Sequence, residues 1–284
     1  MNDTVQMLNL SELHPFPDHP FQVVVNAELR EIAESVRNCG IISPLVVCPR
    51  KEGGYEIISG HRRAKAAEIA GLTAVPAFVR EMDRDSAIIT LVDSNMHREH
   101  ILPSEKAFAY KMKLEAVKHQ GERNDLTCAQ TGHKSREAVG ADGGDSGTQV
   151  QRYIRLTELI PPILKLVDAG KIALAPAVKL SYLSKEEQDD LLSEMETEAR
   201  TPSLSQAQRM KELSAGGKLD WDAMFSILIE DKPNQQEQLK LKTENIRNFF
   251  PKGYTPRQME EQIMTLLAEW QQKRERAARN RDAR

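Results

Sequence analysis

Residues 55–71 read Tyr55-Glu56-Ile57-Ile58-Ser59-Gly60-His61-Arg62-Arg63-Ala64-Lys65-Ala66-Ala67-Glu68-Ile69-Ala70-Gly71, a strand that passes into a helix at a glycine. Tyr55 to Ser59 has the composition of a strand, and His61 to Ala70 reads as a helix that Gly71 ends. Upstream, Pro44 to Pro49 encloses Leu-Val-Val-Cys, a buried strand by its β-branched content. Gly53-Gly54 supplies the turn that makes residues 55–59 its return strand. Asn26 to Asn38 carries Leu29, Ile32, Ala33 and Val36 on one helical face, closed by Cys39-Gly40. Val75 to Arg80 reads as one more strand. At the front, Leu10 to Leu13 is a short apolar stretch, and Pro15, Pro17 and Pro20 force an extended loop after it.

From Arg84 to His119 the pattern is helical, with a break at Ile101-Leu102-Pro103 and a fresh helix start at Ser104. Gly121 to Gly147 is polar and glycine-bearing with little periodicity, which predicts a loop around one short helix at Arg136 to Val139. Thr148 to Leu156 resumes a strong helix, and helical signals run on to Arg200 past Pro161-Pro162 and Gly170. Thr201-Pro202 and Gly216-Gly217 mark a boundary. Beyond it, Ile246 to Phe250 and Gln258 to Trp270 are apolar-striped, the second through Met259, Ile263, Leu266, Leu267 and Trp270. Such a stripe serves either the chain's own core or self-association. The tail adds Lys273, Arg274, Arg276, Arg279, Arg281 and Arg284 against only Glu275 and Asp282, an arm suited to touching phosphates without reading sequence.

The 284 residues suggest two or three modules. A net charge of -3 argues against a uniformly basic coat, though not against a local basic face. Three cysteines without Cys-x-x-Cys spacing speak against a disulfide framework or a structural zinc site. His97 and His100 could share a helix face, but no third ligand accompanies them. The opening MNDTVQMLNL has no basic stretch before an apolar core, and no apolar run approaches a bilayer span. A cytosolic protein is expected.

Gly60, Arg62 and Arg63 stand at the strand-to-helix junction. A helix N-terminus presents free N–H groups and partial positive charge, glycine lets the backbone approach closely, and arginine grips phosphate oxygens bidentately. Solvated arginines at a helix start would look the same.

The ordered context resembles the ParB/RepB partition-protein family. The resemblance rests on Leu45-Val46-Val47, then Gly54-Tyr55-Glu56-Ile57-Ile58-Ser59-Gly60-His61-Arg62-Arg63, then Ala66-Ala67, Gly71-Leu72 and Val75-Pro76. A second box is Ser94-Asn95-Met96-His97-Arg98-Glu99 ahead of Leu102-Pro103-Ser104-Glu105. A looser proline box is His14-Pro15-Phe16-Pro17-Asp18-His19-Pro20-Phe21-Gln22. The resemblance implies a CTP-dependent DNA clamp that binds CTP with Mg2+ and closes as a homodimer. On it, Gly60, His61, Arg62, Arg63, Ser94, Asn95 and Arg98 form the nucleotide site, with Asn95 helping to place the metal. His61 stands where the family commonly has glutamate, and Ser94 and His97 replace the second box's glutamate and glutamine. Serine carries no charge to orient a metal or an attacking water, which leaves at most a weak CTPase.

From Arg136 to Leu156 the residues fit a helix-turn-helix. Val139 and Gly140 sit in the first helix, Gly143-Gly144-Asp145 in the turn, and Val150, Tyr153 or Ile154, and Leu156 on the buried face of the second. Ser146, Thr148, Gln149, Gln151, Arg152 and Arg155 form the opposite face, side-chain types that pair with base edges and phosphates. A polar solvated face is the plainer alternative. The family resemblance continues through Arg155-Leu156-Thr157-Glu158-Leu159-Ile160-Pro161 and Gly170-Lys171-Ile172-Ala173-Leu174-Ala175-Pro176-Ala177, covering about residues 8–195.

The expectation is an α+β chain. A small mixed α/β N-terminal domain of ParB-like nuclease fold (1–103) precedes an all-α helix-turn-helix domain (104–200) and a helical C-terminal region (201–284). Its expected role is sequence-specific DNA binding in segregation of a chromosome, plasmid or mobile element. It would work at the nucleoid on a roughly palindromic double-stranded site, with a partition ATPase as implied partner and no membrane. The alternatives are a transcription regulator on the same scaffold without nucleotide binding, and a phosphoryl- or sulfur-transfer enzyme on the N-terminal domain.

Overall fold

The computed structural model describes residues 4–98, 100–124, 131–230, 249–251, 253–255, 258–259, 261–267 and 270–271. Residues 1–230 form one compact unit and 231–284 a second. In the first, five strands make one sheet: β1 (Val5–Asn9), β2 (Leu13–His14), β3 (Leu45–Pro49), β4 (Tyr55–Ser59) and β5 (Ala74–Val79), in the order β1-β5-β3-β4-β2. β3 and β4 pair antiparallel across the Gly53-Gly54 turn, as the sequence predicts, and β5 runs parallel to β3.

Alternation along the strands sorts side chains to two faces. Leu45, Val47, Ile57, Val75 and Ala77 join a core with Leu29, Ala33 and Val36 of helix α1 (Ala27–Cys39) and Ala64, Ala66 and Ala67 of α2 (His61–Ala70). Asn26 caps α1 by accepting from Leu29 N at 3.0 Å. The other face sends Ile58 into a core with Phe16, Phe21, Leu91 and Val92, where α3 (Arg84–Met96) and α4 (Pro103–Asn124) pack.

That second core also holds Val139 and Val150, from α5 (Thr131–Ala141) and α6 (Gly147–Arg155). A third core, built on Leu156 just after α6 and on Ile163, Leu180, Leu191 and Met210, draws on α7 (Pro161–Asp168), α8 (Leu174–Leu180), α9 (Lys185–Thr197), α10 (Leu204–Ala215) and α11 (Trp221–Ile229). Reciprocal capping boxes open α9 (Ser184 with Glu187) and α10 (Ser203 with Gln206).

Two sequence expectations are corrected. The segment 121–147 is not mainly loop: α4 extends to Asn124 and α5 starts at Thr131. α5 needs little apolar surface, because Val139 with the bare backbone of Gly140 suffices to seat it on α6. β1 was not foreseen. As an edge strand it buries only Leu8 and leaves Val5 and Met7 exposed, so it lacks the alternation of a half-buried strand. In the second unit, residues 261–267 are helical, with Met259 buried and Leu266, Leu267 and Trp270 exposed. The basic tail from Lys273 and residues 246–248 lie outside the described residues.

Candidate functional site

Gly60 adopts φ 104° and ψ 21°, left-handed backbone that strains any residue with a Cβ, and such a Cβ would lie 3.0 Å from Leu45 Cγ and 3.1 Å from Arg63 Nη2. No side chain caps α2, so its first-turn N–H groups remain open to an anion. The two arginines that follow diverge. Arg63 turns inward and donates to the Ser43 carbonyl, to Ser43 Oγ at 2.9 Å and to the Pro44 carbonyl at 2.9 Å, fixing the loop before β3. Burial lowers its pKa. Arg62 turns outward and pairs with Glu28 at 3.0 Å.

Beside Arg62 opens a cavity of about 540 Å³ lined by Gln22, Val24, Asn26, Glu28, Arg62, Arg98, His100, Leu102 and Glu105. Arg98, lying 5.9 Å from the Phe21 ring centroid, has its pKa lowered mainly by burial. Glu105 is buried and accepts from Gln22 N at 2.7 Å and Leu102 N at 3.1 Å, so it closes the cavity by holding two main-chain segments. The lining thus sets two cations, Arg62 and Arg98, against two carboxylates, Glu28 and Glu105.

Of the residues assigned to nucleotide, Arg62 and Arg98 line this cavity, and Gly60, His61, Arg63, Ser94 and Asn95 do not. Ser94 Oγ donates to Leu91 O at 3.0 Å, and Asn95 Nδ2 donates to the same carbonyl at 2.9 Å, which leaves the Asn95 side-chain oxygen for a ligand. Among the described residues no cluster of three His, Cys, Asp or Glu could hold a metal. The His61 ring packs against that of His19, tilted by 53° with centroids 3.9 Å apart, and both Nε2 atoms are buried without a partner. Burial, then His19 and Arg98, push the His61 pKa down to about 3, so the ring is neutral. Glu28 escaped the sequence reading, and Gln22 and Asn26 stood in it without a role at this site, because they face Arg62 and Arg98 only through the tertiary fold. The box residue Glu105 had been noted without a role.

At the helix-turn-helix, Gly140 is the contact point of the crossed helices: a Cβ there would meet the Asp145 carbonyl oxygen at 2.1 Å. The turn is anchored by Asp145, which accepts from Tyr110 Oη at 2.6 Å and Lys106 Nζ at 2.9 Å. Lys113, only 4% exposed, bridges Asp93 on α3 at 2.5 Å and Asp142 in the turn at 2.6 Å. Val150 and Leu156 are buried, and Tyr153 and Ile154 half-buried. Ser146 caps α6 by accepting from Gln149 N. Thr148, Gln151 and Arg152 are exposed, with Gln151 Oε1 accepting from Arg136 at 2.7 Å. Arg155 differs: half-buried, it donates to Ser181 O at 2.8 Å and lies 4.1 Å from the centroid of Tyr182.

A family model, the ParB N-terminal domain, matches residues 1–96. The chromosome-partitioning protein Spo0J of Thermus thermophilus is 32% identical over 209 residues, 73% of this chain and 70% of that one. The chain belongs to the ParB family of chromosome-partitioning proteins. The probable chromosome 1-partitioning protein ParB of Deinococcus radiodurans is 29% identical over 238 residues, 84% of this chain and 75% of its own. The crystal structure of C-terminally truncated Caulobacter crescentus ParB with its centromeric parS site has a TM-score of 0.43 at 21% identity, covering 80% of this chain and 100% of that one. The ParB family model spans β1 to α3 and therefore Gly60, Arg62, Arg63, Ser94 and Asn95, and Arg98 follows two residues after it.

Proposed function

We propose that this ParB-family chain is a sequence-specific DNA-binding partition protein gated by CTP with Mg2+. Residues 1–103 take the nucleotide and 104–200 read a roughly palindromic duplex as a homodimer; α10 and α11 pack on the reading domain's own core, and the residues after 230 serve assembly. The nucleotide is recognised through its triphosphate, with Arg62 and Arg98 as the cations and the open N-terminus of α2 behind Gly60. His61 takes no proton and acts as a neutral wall. Mg2+ binds mainly through phosphates and water, with the Asn95 side-chain oxygen as the protein's contribution. Ser146, Thr148, Gln149, Gln151 and Arg152 face the bases, and Arg155 works at the level of the backbone phosphates. A partition ATPase moves the complex, and its place of work is the nucleoid. No helix among the described residues is long and apolar enough to cross a membrane.

The observation that carries this reading is that one helix, α4, joins the two sites. Its first turn supplies Glu105 to the anion cavity, and Lys106, Tyr110 and Lys113 hold the turn of the reading motif. The transcription-regulator reading draws on Ser94, whose hydroxyl is uncharged and turned back onto its own helix.

The test is equilibrium binding of labelled CTP with Mg2+, competed by ATP and GTP, with and without the DNA that flanks the coding sequence. CTP-selective binding, lost in Arg98→Ala while DNA affinity persists, supports the gated reading. DNA binding with no affinity for any nucleotide leaves the regulator. Arg63→Ala is the poorer probe, since that side chain holds residues 43 and 44 in place.

A further inference from the structure

The last turn of the reading helix does not end in free solvent. Arg155, its final residue, is drawn to the end of α8, where Ser181 O accepts its hydrogen bond. There its guanidinium carbon lies 4.1 Å from the ring centroid of Tyr182. Lys211, on α10, brings its ammonium 3.8 Å from the same centroid. The two cations therefore lie within about 8 Å of each other. Lys179 stands in the last turn of α8, one turn before Tyr182, whose N–H donates to the Lys179 carbonyl at 3.2 Å.

Among the described residues no carboxylate forms an ion pair with Arg155, Lys179 or Lys211. Arg62, Arg84, Lys106, Lys113 and Arg209, by comparison, each have an acidic partner. Tyr182 is 47% exposed although its ring gathers two charges. An exposed aromatic ring contributes little to holding a cation, and like charges so placed repel. A polyanion relieves that repulsion.

Duplex DNA carries one phosphate charge per ~3.4 Å of helix axis on each strand, so a cluster of this width faces about two phosphates of one backbone. Reading helices of helix-turn-helix proteins contact base edges with their N-terminal residues. The C-terminal end of α6 therefore meets the wall of the groove, which is backbone. We infer that Tyr182, Lys179 and Lys211, with Arg155, form a second, sequence-independent DNA contact that clamps the phosphate backbone beside the reading helix. Arg155 and Lys211 supply charge from two elements, and the Tyr182 hydroxyl adds a hydrogen bond to a phosphate oxygen. The ledge sets register and adds affinity without adding base specificity. It rests on the DNA-binding reading and extends the interface onto α10, past the last reading-helix residue by more than 50 positions.

The test measures the full chain's affinity for a random-sequence 40-base-pair duplex by fluorescence anisotropy across a potassium chloride series. Lys211→Gln and Lys179→Gln are each expected to lower the slope of log Kobs against log salt by about 0.9. Lys211→Arg should restore it. Lys51→Gln, on the turn between β3 and β4, should leave it unchanged, and urea unfolding reports whether each variant is folded. A wild-type slope in both glutamine variants overturns the ledge and leaves the DNA reading standing. Wild-type protein with no salt-dependent affinity for any duplex overturns the DNA reading and the ledge with it. A loss that Lys211→Arg does not restore assigns Lys211 to packing and also overturns the proposal.

Discussion

Replacing Gly140 with alanine puts a methyl group 2.1 Å from the Asp145 carbonyl oxygen and 2.8 Å from Val150 Cγ2. Ordinary contact needs about 3.4 Å or more, so the turn must move away from α5 by over 1 Å. It cannot move cheaply. Asp145 N donates to Gly140 O at 3.0 Å, and the Asp145 carboxylate is held by Tyr110 and Lys106. Overpacking a well-packed contact costs roughly 1–3 kcal/mol. Because the obstacle is backbone, the upper part of that range applies. Alanine returns about 1 kcal/mol through its better helix propensity, leaving a net loss of about 2 kcal/mol. With a urea m-value of about 2 kcal/mol/M, within the usual range, the midpoint should fall by about 1 M. The same displacement tilts α6 against α4, so specific DNA affinity should fall while CTP binding at the proposed site of Arg62 and Arg98 is kept. Urea unfolding followed by circular dichroism, paired with anisotropy on specific DNA, measures both. An unchanged or raised midpoint with intact DNA affinity would refute the claim that bare backbone at residue 140 seats the reading helix.

Lys113→Met removes two charge-assisted hydrogen bonds from a buried position and should lower stability by about 2 kcal/mol. The loss stays below that of a fully buried triad, because Asp93 and Asp142 retain 36% and 47% side-chain exposure. A midpoint within error of wild type would remove Lys113 as the tie between α3 and the turn. His61 gives a pH dependence. Burial holds its imidazole neutral down to about pH 3, against 6.5 for the free group, so below 6.5 the unfolded chain binds the proton first. Stability should fall as pH drops from about 6.5 toward 3, by about 1.4 kcal/mol per unit from this residue, and His61→Gln should flatten the slope between pH 7 and 5. Arg152→Ala should cost roughly 1–3 kcal/mol of specific binding if the side chain reads a base. Equal losses on specific and random duplex would move it to the phosphate contacts instead.

The strand, glycine and helix of residues 55–71 were legible because each signal is local: β-branched composition, a turn glycine, and a glycine at each end of the helix. α1 was legible for the same reason, through its apolar face and the closing Cys39-Gly40. β1 was not, since four of its five side chains face outward and pairing with β5 is a contact made about 70 residues away. α5 was underread because its seat depends on a missing side chain at Gly140, which single-residue propensity counts against a helix.

The sites divide along the same line. Sequence by itself determined the order of elements, the boxes that carry Gly60, Arg62, Arg63 and Arg98, and the polar face of the reading helix. Those follow from periodicity and chemistry within a few contiguous residues. Only the tertiary structure decided which cations are free to act. It spent Arg63 on residues 43 and 44, set Arg62 and Arg98 around one cavity with Glu28 and Glu105, and carried Arg155 to Tyr182 and Lys211. The physical reason is that a guanidinium's partner is chosen by distance in space. Those partners stand 19 to 34 residues away for Arg62, Arg63 and Arg155, beyond the reach of any local pattern.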